Sequence, residues 1–206
     1  TYNARGALLQ VSRELGAAFG DEVLVPAYHC PSGVMPLIEA GLRPVFYRIR
    51  PDLSIDLDDL RAKLGPRSRA VIVIHFFGFT VDLAPLQDLR TKGIALVEDW
   101  SHSFLQGSPA HLPALQGDVQ VFSFWKLVPS GVGGAIRRGP SWRAAPAQMR
   151  SPPPWRDTAV RFKRMLESAI EHSEHRRTKA LMLGLERLRL ALKPGAASTP
   201  AEALPP

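Results

Sequence analysis

Four polar residues fall where chemistry could concentrate. Asp99 ends the stretch "IALVED", His102 follows three residues later, Ser123 sits in "FSF", and Lys126 lies among aromatic and aliphatic residues upstream of Gly133 and Gly134. An ammonium buried among apolar groups without a partner is costly, so a lysine in such a place gives up its proton or finds a chemical use. Freed of that proton it is an amine nucleophile and a base. Each residue also has an ordinary role open to it. Asp99 fits a helix N-cap or the partner of an arginine, and His102, like His75 in "VIHFFG", fits a satisfied polar side chain. Ser123 fits an outward position on its strand, and Lys126 a side chain that carries its charge to the surface. The combination is more informative than its parts: an acid, a histidine three residues on, then a serine and a lysine before a glycine pair, at places where a sheet would present them together.

The elements that must do the positioning alternate along the chain. Leu8, Leu9, Val11, Leu15 and Phe19 recur at helical spacing between Arg5 and Phe19, and "GDEVLVPAY" reads as a turn leading into a strand. A helix around Val34 to Ala40 leads to "RPVFYRI", "DLDDLRAKL" to "RAVIVIHFF", and "LAPLQDLRTK" to "GIALVED". Helices alternating with strands predict an α/β fold, a mostly parallel sheet, and continuous apolar runs such as "AVIVI" predict helices on both faces of it. "DVQVFSF" and "GGAIRR" supply two further strands. In open sheets of this kind ligands bind beyond the carboxyl ends of the strands, where Asp99, His75 and Ser123 are expected, with Lys126 next in sequence.

Composition changes after Arg138. Residues 1–138 form the expected sheet domain, 139–155 a Pro-rich linker that cannot sustain a helix or central strand, 156–193 a basic helical segment, and 194–206 a disordered tail. The net charge of +7 follows the same division. Up to Ile136 there are 12 lysines and arginines against 13 acids, whereas from Arg137 to Lys193 there are 14 against 5. The basic excess thus belongs to the later part, and without interleaved aromatics or a recognition motif it does not point to nucleic acid. A single cysteine, Cys30, excludes an internal disulfide framework and a CxxC-type metal site. No apolar run approaches the roughly 20 residues that span a bilayer, and the N-terminus lacks a signal-peptide pattern. These features give the expectation of a cytoplasmic protein without membrane contact, and the start at Thr1 that of a fragment.

The segments "GDEVLVPAYHCPSG", "GLRPVFYRIRPDLSIDLDDLRAKLGPRSRAVIVIHFFG", "VEDWSHS" and "GDVQVFSFWKLVPSGVGG" together resemble the DegT/StrS-like sugar aminotransferases. These are fold-type-I enzymes that use pyridoxal 5′-phosphate (PLP), and the segments follow the family's order with nearly its spacing over about the first 138 residues. The resemblance implies a three-layer large domain, followed here by a short helical remnant of the small domain. It also implies roles. Lys126 matches the lysine that carries PLP as an aldimine and shuttles protons, and Asp99 the carboxylate paired with the pyridinium nitrogen. His102 matches the residue beside the ring hydroxyl, and Ser123 a phosphate ligand. "NARGAL" falls where the family opens a helix on the phosphate, so the N–H groups of Arg5 and Gly6 are expected there. Cys30 stands where the family often has an aromatic residue over the ring, leaving Tyr28 or His29 for that part. Ser123 and Lys126 are also two residues closer together than is usual in the family.

The implied function is transfer of an amino group from an amino acid, with glutamate the expected donor, to a keto-sugar carried on a nucleotide, in a homodimer. Two other readings stand beside it: a non-catalytic PLP-binding homologue acting as a binding or regulatory partner, and a basic-tailed protein that binds acidic surfaces.

Overall fold

A computed structural model of the chain describes residues 1, 3–103, 113–126 and 133–143. Six strands form one sheet in the order β2-β1-β3-β4-β5-β6. They are β1 (Glu22–Pro26), β2 (Arg43–Tyr47), β3 (Ser68–Ile74), β4 (Ala95–Asp99), β5 (Val119–Ser123) and β6 (Gly134–Arg138). The first five are parallel, and β6 returns antiparallel along β5. The helices are α1 (Ala4–Glu14), α2 (Pro31–Glu39), α3 (Leu57–Ala62) and α4 (Gln87–Thr91), the last preceded by a 3₁₀ turn at Ala84–Leu86.

Strand residues alternate between two cores. Val23, Val25, Ala70, Ile72, Val97, Val119 and Val121 pack with Ala7, Leu8 and Val11 of α1 and Val34 and Leu37 of α2. Leu24, Val71, Val73 and Leu96 pack on the other face with Leu60 of α3, Leu86, and Leu89 of α4. The three layers expected from the apolar runs are therefore present. Burying a side chain such as Leu8 or Val11 contributes roughly 1.5–3 kcal/mol, enough to dock a short helix that water alone would not sustain.

The first helix is shorter than its apolar spacing predicts. It begins at the N-cap Asn3, whose side chain accepts the Gly6 N–H at 2.8 Å, and it stops before Gly16, whose φ of 63° breaks the helical path. Phe19 consequently lies outside the helix and is 90 % exposed. Glycine has a second use at Gly134. A Cβ there would lie 2.5 Å from the Asn3 carbonyl carbon and 2.8 Å from the Ala4 nitrogen, so only a bare backbone lets the start of α1 rest on β6. The Thr1 ammonium donates to the Gly134 oxygen at 2.8 Å and completes that contact.

Among the described residues no helix is long and apolar enough to cross a membrane. The backbone divides after Asp157 into two units, and every described residue belongs to the first. The start of the expected linker is tied to the sheet domain: the Gly139 N–H donates to the Asp118 oxygen, just before β5, at 2.8 Å, and the Trp142 indole donates to Glu14, the last residue of α1, at 3.0 Å. The basic segment 156–193 and the tail 194–206 lie outside the described residues.

Candidate active site

The carboxyl ends of β4 and β5 put Asp99 and Ser123 on one face of the sheet. Asp99 is two residues beyond Val97, and Ser123 two beyond Val121, so both side chains share the α1/α2 face. One Asp99 oxygen accepts the Ser101 N–H at 2.8 Å, which closes a tight turn, and the residue is 8 % exposed. The Ser123 hydroxyl is buried and has no hydrogen-bond partner among the described residues. Ser123 pairs in register with Gly134, on which the first residues of α1 sit, so this hydroxyl and the amino end of α1 meet at one corner of the sheet.

At that corner the sequence expectation divides. Arg5 lies ahead of the first intrahelical bond, from the Ala7 N–H to the Asn3 oxygen at 3.0 Å, so its N–H belongs to the unsatisfied end of the helix. The neighbouring Gly6 N–H is instead taken by the Asn3 side chain.

The turn after β4 carries His102. Its Nδ1 is buried with no partner among the described residues, and its ring stacks on Phe77 with centroids 5.5 Å apart and planes 11° from parallel. Burial, reinforced by the charge of Lys126 and opposed by that of Asp99, holds the imidazole below its ordinary pKa. Tyr28 joins the same aromatic group, with its ring 5.4 Å from Phe76 and 6.5 Å from Phe77. His29 turns away toward β2: its Nδ1 bonds the Pro26 oxygen at 2.9 Å and its ring stacks on Phe46 at 5.2 Å. Of the two residues next to Cys30, Tyr28 is therefore the one that faces the His102 side.

Lys126 ends the 3₁₀ turn Phe124–Lys126 that follows β5, and it is exposed. Of the two readings open to it, buried or reaching the surface, the structure takes the second. The lysine nevertheless reaches the site electrostatically. Its charge acts on His102, and it helps lower the Cys30 thiol, which is held down first by hydrogen bonds to Ser32.

His75 lies on the opposite face and has a structural role. Its Nδ1 accepts the Val81 N–H at 3.0 Å, which leaves Nε2–H to donate to Glu98 at 3.1 Å. Glu98 also accepts from the Trp100 indole at 3.2 Å and from the N–H groups of Gln116 and Gly117 at 3.0 and 2.7 Å. Burial works to raise the Glu98 pKa, but the hydrogen bonds from His75 and Gly117 outweigh it and hold the group ionised. This network backs the strand that presents Asp99.

Sequence reasoning missed Phe77 and Ser103. Phe77 has φ +50°, a left-handed backbone that bulky side chains rarely adopt and that costs on the order of 1–3 kcal/mol. Ser103 donates to the His75 oxygen at 2.5 Å and accepts the Gly78 N–H at 2.9 Å. The sequence signal for Phe77 was the aromatic run "HFFGF" at a strand end, broken by glycine, and for Ser103 its place at the end of "VEDWSHS".

The sequence pattern of the DegT/DnrJ/EryC1/StrS aminotransferase family matches residues 1–139. The chain is 31 % identical over 138 residues to the GDP-perosamine synthase of Vibrio cholerae, covering 65 % of this chain and 38 % of that protein. It is 30 % identical over 139 residues to the dTDP-3-amino-3,4,6-trideoxy-alpha-D-glucose transaminase of Micromonospora megalomicea subsp. nigra, covering 65 % of this chain and 37 % of that protein. The crystal structure of the aminotransferase TlmJ from Streptoalloteichus hindustanus superposes with a TM-score of 0.59 at 29 % identity, over 82 % of this chain and 43 % of that one. The chain thus spans well under half the length of these relatives.

Proposed function

The chain belongs to the DegT/DnrJ/EryC1/StrS aminotransferase family, whose members depend on PLP, and from that premise we propose that it moves an amino group from an amino acid, glutamate being the candidate donor, to a keto-sugar carried on a nucleotide. One observation carries the reading. Two buried polar atoms without partners among the described residues, Ser123 Oγ and His102 Nδ1, lie with Asp99 at the carboxyl ends of β4 and β5 and in the turn after β4, near the charge of Lys126 and the open end of α1. Unpartnered buried polar atoms are costly and rare, so a pair of them around a carboxylate fits a ligand that carries its own polar groups. A flat ring with a phosphate, a hydroxyl and a basic nitrogen matches that set.

When bound, this cofactor supplies an electron sink for the pair left behind by a departing substrate proton. Ser123 Oγ and the Arg5 N–H are assigned to the phosphate, where the α1 dipole adds its positive end. Gly6 stands next to them with its N–H engaged by Asn3. Asp99 keeps a proton on the ring nitrogen by placing a fixed negative charge against it. His102, held neutral by burial, offers Nδ1 to the ring hydroxyl. Lys126 Nζ would be the group that takes the substrate proton and gives it back, a task suited to a mobile amine. Tyr28 is assigned to the wall over the ring, and a homodimer in the cytoplasm is the working state.

The test is borohydride reduction of the 206-residue chain mixed with PLP, followed by peptide mapping. The expected pyridoxyl label falls on Lys126 and is absent from Lys126→Ala. A label on Lys63 or Lys92 overturns the site, and no label on any lysine overturns cofactor binding. Addition of glutamate to the unreduced complex, followed by absorbance, then separates turnover from binding alone.

A further inference from the structure

We infer that Phe77 is a positioning residue, which sets the plane of the His102 imidazole and so aims its buried Nδ1 into the site. Phe77 is 58 % exposed, so core packing does not account for holding it in a left-handed backbone. The loop is held by other means. The Ser103 hydroxyl bridges the His75 oxygen and the Gly78 N–H, spanning the residues that flank Phe76 and Phe77. Ser103 also directly follows His102, so one side chain ties the loop that bears Phe77 to the turn that bears His102. Gly78, at φ +96°, lets the chain leave the strained residue without a second penalty.

The result is a near-parallel face-to-face contact between Phe77 and His102. Phe76 is only 2 % exposed and anchors the loop, while Tyr28 packs against both phenylalanines and limits movement of the Phe77 ring. A flat partner restrains rotation of an imidazole about its Cβ–Cγ bond in a way that an aliphatic side chain of similar volume cannot. Among the described residues Nδ1 has no hydrogen-bond partner, and the Phe77 ring is the aromatic face that His102 lies against. The cofactor part of this inference rests on the proposed function; the positioning of His102 does not.

The experiment compares the 206-residue chain with Phe77→Ala and Phe77→Tyr, with His102 signals assigned by their loss in His102→Gln. The first readout is the titration midpoint of the His102 imidazole by NMR in the cofactor-free protein. It is expected to rise toward that of a free imidazole in Phe77→Ala and to return in Phe77→Tyr, with Lys126 and Asp99, the charges that act on His102, unchanged in both. The second is the dissociation constant for PLP, expected to weaken about three- to tenfold in Phe77→Ala and to recover in Phe77→Tyr. Melting temperatures should stay together, since the side chain is largely outside the core. An unmoved His102 midpoint in Phe77→Ala overturns the positioning role. A moved midpoint with unchanged PLP affinity overturns the link to the cofactor. If the parent chain binds no PLP, the proposed function fails, and the His102 midpoint alone decides this inference.

Discussion

Glu98 and Asp99 are adjacent carboxylates with opposite uses, because successive strand residues point to opposite faces. Both oxygens of Glu98 are occupied inside the protein, whereas Asp99 turns toward the face that carries Ser123 and the start of α1. Conservative amides at the two positions should therefore separate stability from chemistry. Glu98→Gln points an amide NH₂ at groups that are themselves donors, so urea denaturation should show a loss of about 1–3 kcal/mol. Asp99→Asn keeps the shape and the bond from Ser101. Its denaturation midpoint should barely change, while conversion by glutamate falls by about 10²-fold or more, the range for a misplaced proton. Equal activity in Asp99→Asn would mean that another acid faces the ring nitrogen.

For the proposed site the decisive element is α1, whose amino end must sit against β6 if Ser123 and the Arg5 N–H are to act together. Two glycines test this from opposite sides. Gly134→Ala drives a methyl group into the Asn3 and Ala4 backbone, where neither neighbour can rotate away. Overpacking of this kind costs about 1–3 kcal/mol and should weaken PLP binding as well, because α1 has to lift. Gly33, inside α2, has open space around its Cβ position, and Gly33→Ala should stabilise by about 0.5–1 kcal/mol without any effect on PLP. Chemical denaturation and PLP titration of the two variants check both statements. If Gly134→Ala left affinity and stability intact, the close approach of α1 to β6 would not exist in solution.

For the molecule as a whole, acid should be the destabilising direction. Glu14 closes the far end of α1 onto β6 through Arg138, at 2.9 and 2.5 Å, and onto Trp142; burial works to raise its pKa, but these bonds bring it below the ordinary value. Asp21, bonded by Arg69, and Asp88, bonded by Arg61, are lowered in the same way. A carboxylate lowered in the folded state adds stability above its unfolded pKa, near 4, and loses it as pH falls through the folded value. His102 acts in the same direction over a higher range. Its folded pKa is lowered, so the unfolded chain takes up the proton first, and stability begins to fall below about pH 6.5. Thermal melts should show a shallow decline from about pH 6.5 and a steeper one below about pH 4. His102→Gln should remove the first and Glu14→Gln reduce the second. A flat profile down to pH 3 would contradict the ion pairs described here.

Much of the fold was legible in the chain because apolar spacing is a local property. The runs in β1, β3 and β5 and the spacing of Leu8 and Val11 specify strands buried on both faces and helices to cover them, before any partner is known. That architecture directs attention to polar residues at strand ends, so Asp99, His75, Ser123 and Lys126 were expected there, and the structure keeps Asp99 and Ser123 on one face while turning His75 to the other. What the chain alone left open depended on contacts between residues far apart in sequence. Whether Tyr28 or His29 faces the site was decided by Phe46, which draws the histidine toward β2, and by Phe76 and Phe77, which hold the tyrosine. The exposure of Lys126, the engagement of the Gly6 N–H by Asn3 and the stacking of His102 on Phe77 likewise depend on the packed structure. Periodicity determines which way a side chain leaves its strand, and only the packed structure determines what it meets there.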